Sequence, residues 1–244
     1  MTARRRPLSR PSPNFDERRL PVDMVVLHYT GMTHGALERL RDPAAKVSAH
    51  YLIDEDGTTY ALVPEGKRAW HAGVASWQGE SDINSCSIGI ELANPGHDHG
   101  YPAFSSAQMA ALVTLLRAVV KRHDISTARV LGHSDVAPGR KQDPGERFDW
   151  QALAQAGFGL WPDFPINGDW PMLARGDQGE AVAELQDHLA ALGYALAVDG
   201  VYGPETVAVV AAFQRHWRPA RVDGIADTET QGRLTRLLSQ FLDA

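Results

Sequence analysis

The most restrictive feature of this chain is the segment GHSDVAPGRKQDPG at residues 132–145. It places an imidazole, a lysine and a carboxylate (His133, Lys141 and Asp143) in one short stretch after the apolar pair Val130-Leu131. Its glycines and prolines favour turns, so these polar groups are held on a stiff scaffold. The segment therefore predicts a functional site. His133 and Asp143 can reach one divalent cation there, while Lys141 brings a positive charge to the same space.

Two further segments supply what such a site would lack. Residues 25–30 (VVLHYT) form an apolar run that carries His28, and residues 87–92 (SIGIEL) carry Glu91 between apolar neighbours. Both runs are typical of buried strands. Two histidines and one aspartate make a three-ligand zinc set that leaves the fourth position to water. The predicted ligands are His28, His133 and Asp143. Glu91 is then the predicted general base and Lys141 the predicted electrophilic helper.

Each of these residues also has a purely structural interpretation. A histidine at a strand end is often a satisfied structural residue, and Asp143 before Pro144-Gly145 could simply initiate a turn. A single glutamate among apolar neighbours is often half exposed. Glu91 argues most strongly for function, because a buried carboxylate is costly unless it is paired or linked to a metal. The functional interpretation is favoured because the structural ones would all have to hold together.

Composition restricts the partners of the chain. Its net charge of −6 argues against nucleic acid, since that binding needs a basic face that neutralises phosphates. The single cysteine, Cys86, excludes an internal disulfide and a cysteine-based metal site, and its position predicts no N-terminal lipid anchor. A hydrophobic content of 43% over 244 residues suffices for a catalytic domain and a smaller module.

The amino-terminal residues lack the pattern of an export signal. Arg4-Arg5-Arg6 is followed by prolines and charged residues, whereas an export signal needs roughly 7–15 apolar residues there. The longest apolar run, residues 109–113, is too short to span a bilayer. We therefore expect residues 1–20 to form an extended, poorly ordered arm, and the protein to be cytoplasmic without a membrane span. A longer precursor would instead favour a periplasmic or cell-wall location.

Strand and helix patterns alternate along residues 21–160, which form the predicted catalytic domain. Residues 51–60 fit a hairpin that turns at Asp56-Gly57. Ser105 and Gln108 fit a capping box that opens an amphipathic helix. The expected fold is an α/β domain with a mixed central sheet flanked by helices, and the metal site lies at strand ends.

The C-terminal part predicts a second, all-α domain. Residues 161–171 are rich in glycine, proline and aromatic residues and form the predicted linker to residues 172–244. A near-repeat at residues 199–206 and 223–230 begins each time with an Asp-Gly turn that leads into a helix. Three amphipathic helices result. Their periodicity alone also fits a small dimerisation bundle.

Five motifs follow one another in a fixed order. They are VVLHYT (25–30), SAHYLI (48–53), AWHAG (69–73), IGIEL (88–92) and the segment 132–145. This order resembles the type-2 family of zinc-dependent N-acetylmuramoyl-L-alanine amidases, which share a fold with peptidoglycan recognition proteins, and most closely the AmiD/AmpD branch. The resemblance extends over residues 12–163. It implies zinc ligands at His28, His133 and Asp143 and a catalytic pair at Glu91 and Lys141.

The resemblance also implies a groove that binds the substrate. Its predicted residues are Tyr29, His50, Tyr51, Arg68, Trp70, His71, Ala72, Gly73 and Asn84. Lys67-Arg68 could pair with stem-peptide carboxylates or could equally be a solvated turn. One departure follows Asn84, where Ser85 stands in place of an expected acidic residue. Residues 172–242 resemble the three-helix peptidoglycan-binding module that often accompanies wall hydrolases.

The activity that the resemblance implies is hydrolysis of the amide between the lactyl group of N-acetylmuramic acid and L-alanine of the stem peptide. It would serve cell-wall degradation or recycling, in a monomer with one Zn²⁺ that acts on peptidoglycan or muropeptide fragments. Two alternatives stay open: a non-catalytic protein that senses peptidoglycan, and a zinc peptidase that cuts within the stem peptide. The complete hydrolytic set argues against the first, and only product analysis separates the second.

Overall fold

The structure, a computed structural model, describes residues 6–162 and 168–242. These residues form two compact units, residues 6–73 with 83–130 and residues 74–82 with 131–162 and 168–242. The segment that starts at residue 131 therefore packs in one unit with the C-terminal helices. The predicted domain boundaries stay predictions. The predicted linker, residues 161–171, includes residues 163–167, which lie outside the described residues.

The main sheet is mixed, as predicted. In sheet order its strands are β1 (Leu8–Ser9), β5 (Thr59–Ala61), β4 (Tyr51–Ile53), β7 (Ser87–Leu92), β3 (Met24–Tyr29) and β8 (Val130–Gly132). Strand β7 pairs in parallel with both β3 and β4, whereas β4 and β5 are antiparallel. The inner strands β3 and β7 are buried along almost their whole length. This burial explains their continuous apolar sequence, which is typical of a strand covered on both faces.

The hairpin between β4 and β5 turns where the sequence predicts. Gly57 has a φ of +82°, a conformation that other residues rarely adopt. A Cβ atom there would also lie 2.8 Å from the carbonyl oxygen of Ala107. The backbone N–H of Thr58 donates to Asp56 Oδ1 at 2.8 Å, which closes the turn.

The amino-terminal arm is ordered, so the prediction of a poorly ordered lead-in is wrong for residues 6–20. Strand β1 adds in parallel to β5, and β2 (Phe15–Glu17) pairs antiparallel with β6 (Lys67–Ala69). Between them, Asn14 Nδ2 donates to the carbonyl oxygens of Asp42 and Val47, both at 2.9 Å. The sequence did not predict this order, because the arm is held by backbone hydrogen bonds to sheet edges. Such pairing needs no apolar run in the sequence.

Helices complete the first unit. They are α1 (Ala36–Arg41), α2 (Ile83–Cys86) and α3 (Ser106–His123), with short 3₁₀ turns at His97–His99 and Thr127–Arg129. The predicted capping box at the start of α3 is present, since Gln108 N donates to Ser105 Oγ at 3.0 Å and Ser105 N donates to Gln108 Oε1 at 3.1 Å. The helix ends at His123, and the next residue, Asp124, adopts a φ of +54°.

The second unit contains five helices among the residues described. They are α4 (His133–Val136), α5 (Trp150–Gln155), α6 (Glu180–Leu192), α7 (Pro204–Trp217) and α8 (Thr228–Leu242). The last three form the predicted C-terminal all-α region. Within residues 6–162 and 168–242, none of the helices combines the length and apolarity needed to cross a membrane.

The near-repeat of the C-terminal region is a repeated structural device. Gln186 on α6 accepts from the backbone N–H groups of Asp199 and Gly200 at 3.1 and 2.8 Å. Gln214 on α7 does the same for the second Asp-Gly turn, at 2.9 and 2.8 Å. Both glutamines are buried. Each turn is thus tied to the preceding helix by one amide side chain, which explains why the Asp-Gly pair recurs.

Candidate active site

Two of the predicted functional residues are neighbours on adjacent strands. His28 on β3 is the register partner of Glu91 on parallel strand β7. Paired residues of adjacent strands point to the same face, and residues two apart on one strand share that face. His28 is buried and Glu91 partly so. Pairing between strands thus places an imidazole beside a carboxylate, as the predicted roles of ligand and general base require.

On the same face, His71 links His28 to Ser87 and orients the His28 ring; we call these three residues the histidine relay. His71 Nδ1 lies 3.0 Å from His28 Nε2, and His71 Nε2 lies 3.2 Å from Ser87 Oγ. The Ser87 hydroxyl donates to the carbonyl oxygen of Ile83, so it accepts from His71 Nε2–H. His71 Nδ1 therefore accepts from His28 Nε2–H. In this pattern Nδ1 is the ring nitrogen of His28 that can bind a metal, and Nε2 is held by a hydrogen bond, as the second ring nitrogen of metal-ligating histidines usually is.

A glycine makes room for the relay. A Cβ atom at Gly89 would lie 2.4 Å from Cγ of the His71 ring, so only glycine fits beneath it. Ser87, Gly89 and Glu91 alternate along β7 and line one face. Sequence reasoning singled out Glu91 but missed Ser87 and Gly89. The period of two along the strand was the signal that could have found them.

The turn after β8 brings two more predicted ligands together. The backbone N–H of Ser134 donates to the carbonyl oxygen of Asp143 at 2.9 Å, which closes the Gly/Pro-rich segment on itself. His133 Nδ1 then lies 3.0 Å from Asp143 Oδ2, and both residues are buried. Gly132 permits this closure, since a Cβ atom there would lie 2.9 Å from the Pro144 ring.

The three predicted ligands form one cluster. One ligand atom from each of His28, His133 and Asp143 lies within 4.8 Å of the others, and all three residues are buried. Two imidazole nitrogens and one carboxylate oxygen suit zinc, which accepts three protein ligands and keeps one position open in hydrolytic sites. Magnesium and calcium prefer oxygen ligands throughout. The donor set therefore fits the predicted metal.

Two cationic residues follow in the same segment. Lys141 is partly exposed, and its backbone N–H donates to the carbonyl oxygen of Ala137 at 3.0 Å. The guanidinium of Arg140 donates to the carbonyl oxygen of Val74 through Nη2 at 2.6 Å, and Nη2 lies 3.4 Å from His133 Nε2. Burial lowers the pKa of Arg140, and the charge of Asp143 opposes this shift. Sequence reasoning passed over Arg140, although it adjoins Lys141.

Asn84 organises the predicted groove segment that follows Trp70. Its Oδ1 accepts from the backbone N–H groups of His71 and Ala72 at 2.9 and 2.8 Å, and Asn84 itself is buried. Gly73 ends the segment with a φ of +63°. Asn84 therefore shapes the backbone of this segment. The absence of an acidic residue at position 85 leaves this contact intact.

Three other groove candidates lie at the surface or near it. Trp70 Nε1 and Arg68 Nη1 both donate to Asp16 Oδ2, at 2.7 and 3.1 Å. The hydroxyl of Tyr29 lies 3.0 Å from His97 Nδ1. Arg68 thus pairs with a carboxylate of the amino-terminal arm in this structure. Its predicted role in binding stem-peptide carboxylates stays a prediction.

His50 and Tyr51 occupy structural positions. His50 is fully buried; its Nδ1 accepts from Gly89 N–H at 2.9 Å. Burial and the neighbouring Arg18 lower the pKa of His50 to about 3. Tyr51 donates to Glu65 Oε1 at 2.6 Å. Both contacts are made within the protein, and the predicted part of His50 and Tyr51 in substrate binding stays a prediction.

Glu65 collects several donors near α3. Burial raises the pKa of Glu65, but hydrogen bonds from Arg122, Tyr51 and His123 outweigh it and hold the pKa at about 2. Arg122 Nη2 donates to Glu65 Oε1 at 2.6 Å, and His123 Nε2 lies 2.7 Å from Glu65 Oε2. This carboxylate is therefore charged at neutral pH and links Tyr51 on β4 to Arg122 and His123 on α3.

The fold is α/β with a mixed central sheet, and its site combines a carboxylate with a buried cluster of two histidines and an aspartate. This combination is that of a hydrolase whose site can hold a metal ion. The family follows from comparison with known proteins. Residues 18–146 match the N-acetylmuramoyl-L-alanine amidase family, and the chain belongs to it. Residues 178–234 match the family of peptidoglycan binding domains. The predicted family, fold class and enzyme class are thereby confirmed.

Related amidases are similar to this chain in sequence and structure over most of its length. The amidase AmiD of Escherichia coli K12 is 37% identical over 238 residues, which cover 90% of this chain and 83% of AmiD. The structure of E. coli AmiD with anhydro-N-acetylmuramic acid-L-Ala-D-γ-Glu-L-Lys matches with a TM-score of 0.78 at 34% identity, over 93% of this chain and 98% of that one. AmpDh3 of Pseudomonas aeruginosa with anhydromuramic pentapeptide matches with a TM-score of 0.74 at 31% identity, over 90% and 92%.

Proposed function

We propose that this amidase hydrolyses the amide between the lactyl group of N-acetylmuramic acid and L-alanine of peptidoglycan stem peptides, with one Zn²⁺ per chain. The observation that carries the proposal is the buried cluster of His28, His133 and Asp143, together with Glu91 as the register partner of His28. The ligand of the AmiD complex supports it, since that molecule contains anhydro-N-acetylmuramic acid followed by L-Ala.

The residues around the cluster take distinct roles in this proposal. Zinc, when bound, would act as a Lewis acid and lower the pKa of a bound water molecule toward neutrality. Glu91 accepts the proton of the attacking water and returns it to the leaving amine of L-alanine, so that no net proton is gained or lost. The Lys141 ammonium group stabilises the negative charge that develops on the carbonyl oxygen. His71 holds the tautomer and orientation of His28.

The substrate groove of the proposal comprises the segment from Trp70 to Gly73, with Tyr29 and Arg68 nearby in the predicted set. The amide oxygen of Asn84 fixes the backbone of His71 and Ala72. A groove of defined backbone shape positions the scissile bond without rearrangement, which lowers the entropic cost of reaction. The C-terminal helices are proposed to bind peptidoglycan and raise the local concentration of the enzyme on the polymer.

Product analysis tests the bond that is cut. Anhydro-N-acetylmuramyl-tripeptide incubated with zinc-loaded protein should yield free anhydro-N-acetylmuramic acid and intact tripeptide by mass spectrometry. Fragments that retain the sugar joined to L-alanine would instead show a stem-peptide peptidase. Elemental analysis should find one zinc per chain, and a protein that is active without zinc would refute the metal assignment. The cellular compartment and the monomeric state stay predictions, which fractionation and size-exclusion chromatography would test.

A further inference from the structure

Asp135 is a fully buried carboxylate two residues after the ligand His133 on helix α4. Its Oδ2 accepts from the backbone N–H of Gly132 at 2.7 Å, and this bond caps the turn at which His133 stands. Two further contacts come from the C-terminal helical region. His216 Nδ1 lies 2.7 Å from Asp135 Oδ2, and the Tyr194 hydroxyl donates to Asp135 Oδ1 at 3.3 Å. Because the carboxylate can only accept, His216 carries its proton on Nδ1.

Packing fixes the orientation of His216. The residue lies on α7, is buried, and has its ring between two tryptophans. Its centroid is 3.6 Å from that of Trp150 with an interplanar angle of 23°, and 3.8 Å from that of Trp217 with an angle of 5°. Stacking on both faces allows the imidazole little freedom to rotate away from Asp135. The hydrogen bond is therefore built into the packed core of the second unit.

Tyr194 is held in a similar way at the end of α6. Its ring is buried and makes an edge contact with Trp77 at 5.0 Å between centroids. The backbone N–H of Gln78 donates to the carbonyl oxygen of Gly193 at 2.8 Å, and Ser76 N–H donates to the carbonyl oxygen of Val136 at 2.8 Å. The segment that contains residues 76–78 thus joins the end of α4 to the end of α6.

The free-energy cost of burying Asp135 makes the turn depend on these contacts. A buried carboxylate without donors costs several kcal/mol, so the turn keeps Asp135 inside only while its donors are present. Two of the three donors described above belong to the peptidoglycan-binding region, residues 178–234. Without these donors, the Asp135 carboxylate would be more stable in contact with water. It would then lose its hydrogen bond to Gly132 N–H, which holds the turn that positions His133.

We propose that His216, assisted by Tyr194, is a positioning residue for the metal ligand His133 and acts through Asp135. The C-terminal helices then have a second task besides wall binding, since they hold the turn that presents a zinc ligand. This inference rests on the proposed zinc site. It implies that the affinity for zinc depends on side chains of a region that contributes no ligand.

The test measures the zinc dissociation constant of the full-length protein by competition with a chromogenic chelator. His216→Leu removes the donor, while His216→Asn can keep an amide N–H close to the position of Nδ1. We expect His216→Leu to weaken zinc binding about tenfold, at the lower end of the 10–100-fold loss typical for a direct partner of a metal ligand, because His216 acts through Asp135 and the backbone of Gly132. His216→Asn should restore most of that loss. Tyr194→Phe, which removes one hydroxyl, should weaken zinc binding to a smaller extent.

The matched control is Gln186→Leu, which breaks the turn at Asp199-Gly200 in the same helical region. It should lower the thermal stability of the zinc-free protein and leave the zinc dissociation constant at the wild-type value. The proposal is overturned if His216→Leu binds zinc like the wild type, or if Gln186→Leu weakens zinc to the same extent. If His216→Leu does not fold, an unchanged constant for Tyr194→Phe overturns it. Wild-type protein that binds no zinc would refute the proposed function itself.

Discussion

Substitution of Gly89 by alanine should disrupt the histidine relay without touching a ligand. The new Cβ atom would lie 2.4, 2.5 and 2.6 Å from Cγ, Cδ2 and Nδ1 of the His71 ring, all below the closest contact that a Cβ makes. The ring has little room to retreat, because Nδ1 is 3.0 Å from His28 and Nε2 is 3.2 Å from Ser87. The ring of His50 is a further neighbour, with its centroid 5.7 Å from that of His71.

The expected magnitude follows from this overlap. Forcing one extra methyl group into a packed site typically costs about 1–3 kcal/mol, and we expect Gly89→Ala to lose about 2 kcal/mol of unfolding free energy. Displacing His71 also deprives His28 Nε2 of its acceptor. Loss of such a partner should weaken zinc binding about tenfold. Urea unfolding in the presence of a chelator measures the first effect, since zinc linkage is then absent. Zinc competition measures the second.

Two controls isolate the steric cause. Gly66→Ala is the matched substitution, because a Cβ atom at Gly66 meets no atom within 4 Å. It should be neutral or stabilise by about 0.4–1 kcal/mol. In a His71→Ala background, Gly89→Ala should cost almost nothing, so that the double-mutant cycle reports a coupling of about 2 kcal/mol. The reasoning fails if Gly89→Ala is as stable as the wild type, or if it costs the same with and without the His71 ring.

Two further predictions concern carboxylates. Glu91→Gln should keep zinc and stability but lower kcat by about 10²–10⁴-fold, because an amide cannot accept the proton; the exposed Glu55→Gln serves as control, and near-normal turnover of Glu91→Gln would reassign the base. Glu65, with a pKa of about 2 against an ordinary 4.5, stabilises the fold above pH 4.5, and this contribution is lost as the pH falls from 4.5 to 2. Its size is on the order of 3 kcal/mol, so urea unfolding of Glu65→Gln should show a flatter pH dependence in that window, and an unchanged slope would contradict the role of Glu65.

Much of this protein follows from local sequence. The apolar runs at residues 25–30 and 87–92, the hairpin turn at Asp56-Gly57 and the capping box at Ser105 were all predicted and are present. Each depends on groups close together in the chain, so periodicity and turn chemistry report it directly. The segment 132–145 likewise closes on itself through local bonds, which bring His133 and Asp143 together.

Tertiary structure decided the rest. The register that sets His28 beside Glu91, and the position of the His71 ring over Gly89, depend on strand pairing and packing between distant segments. The amino-terminal arm joined a sheet edge through its backbone, which no side-chain pattern announces. Asp135 and His216 are 81 positions apart in the chain, and neither looks functional alone. Local propensities cannot encode such contacts, because their energy arises only when the chain has folded and water has left the site.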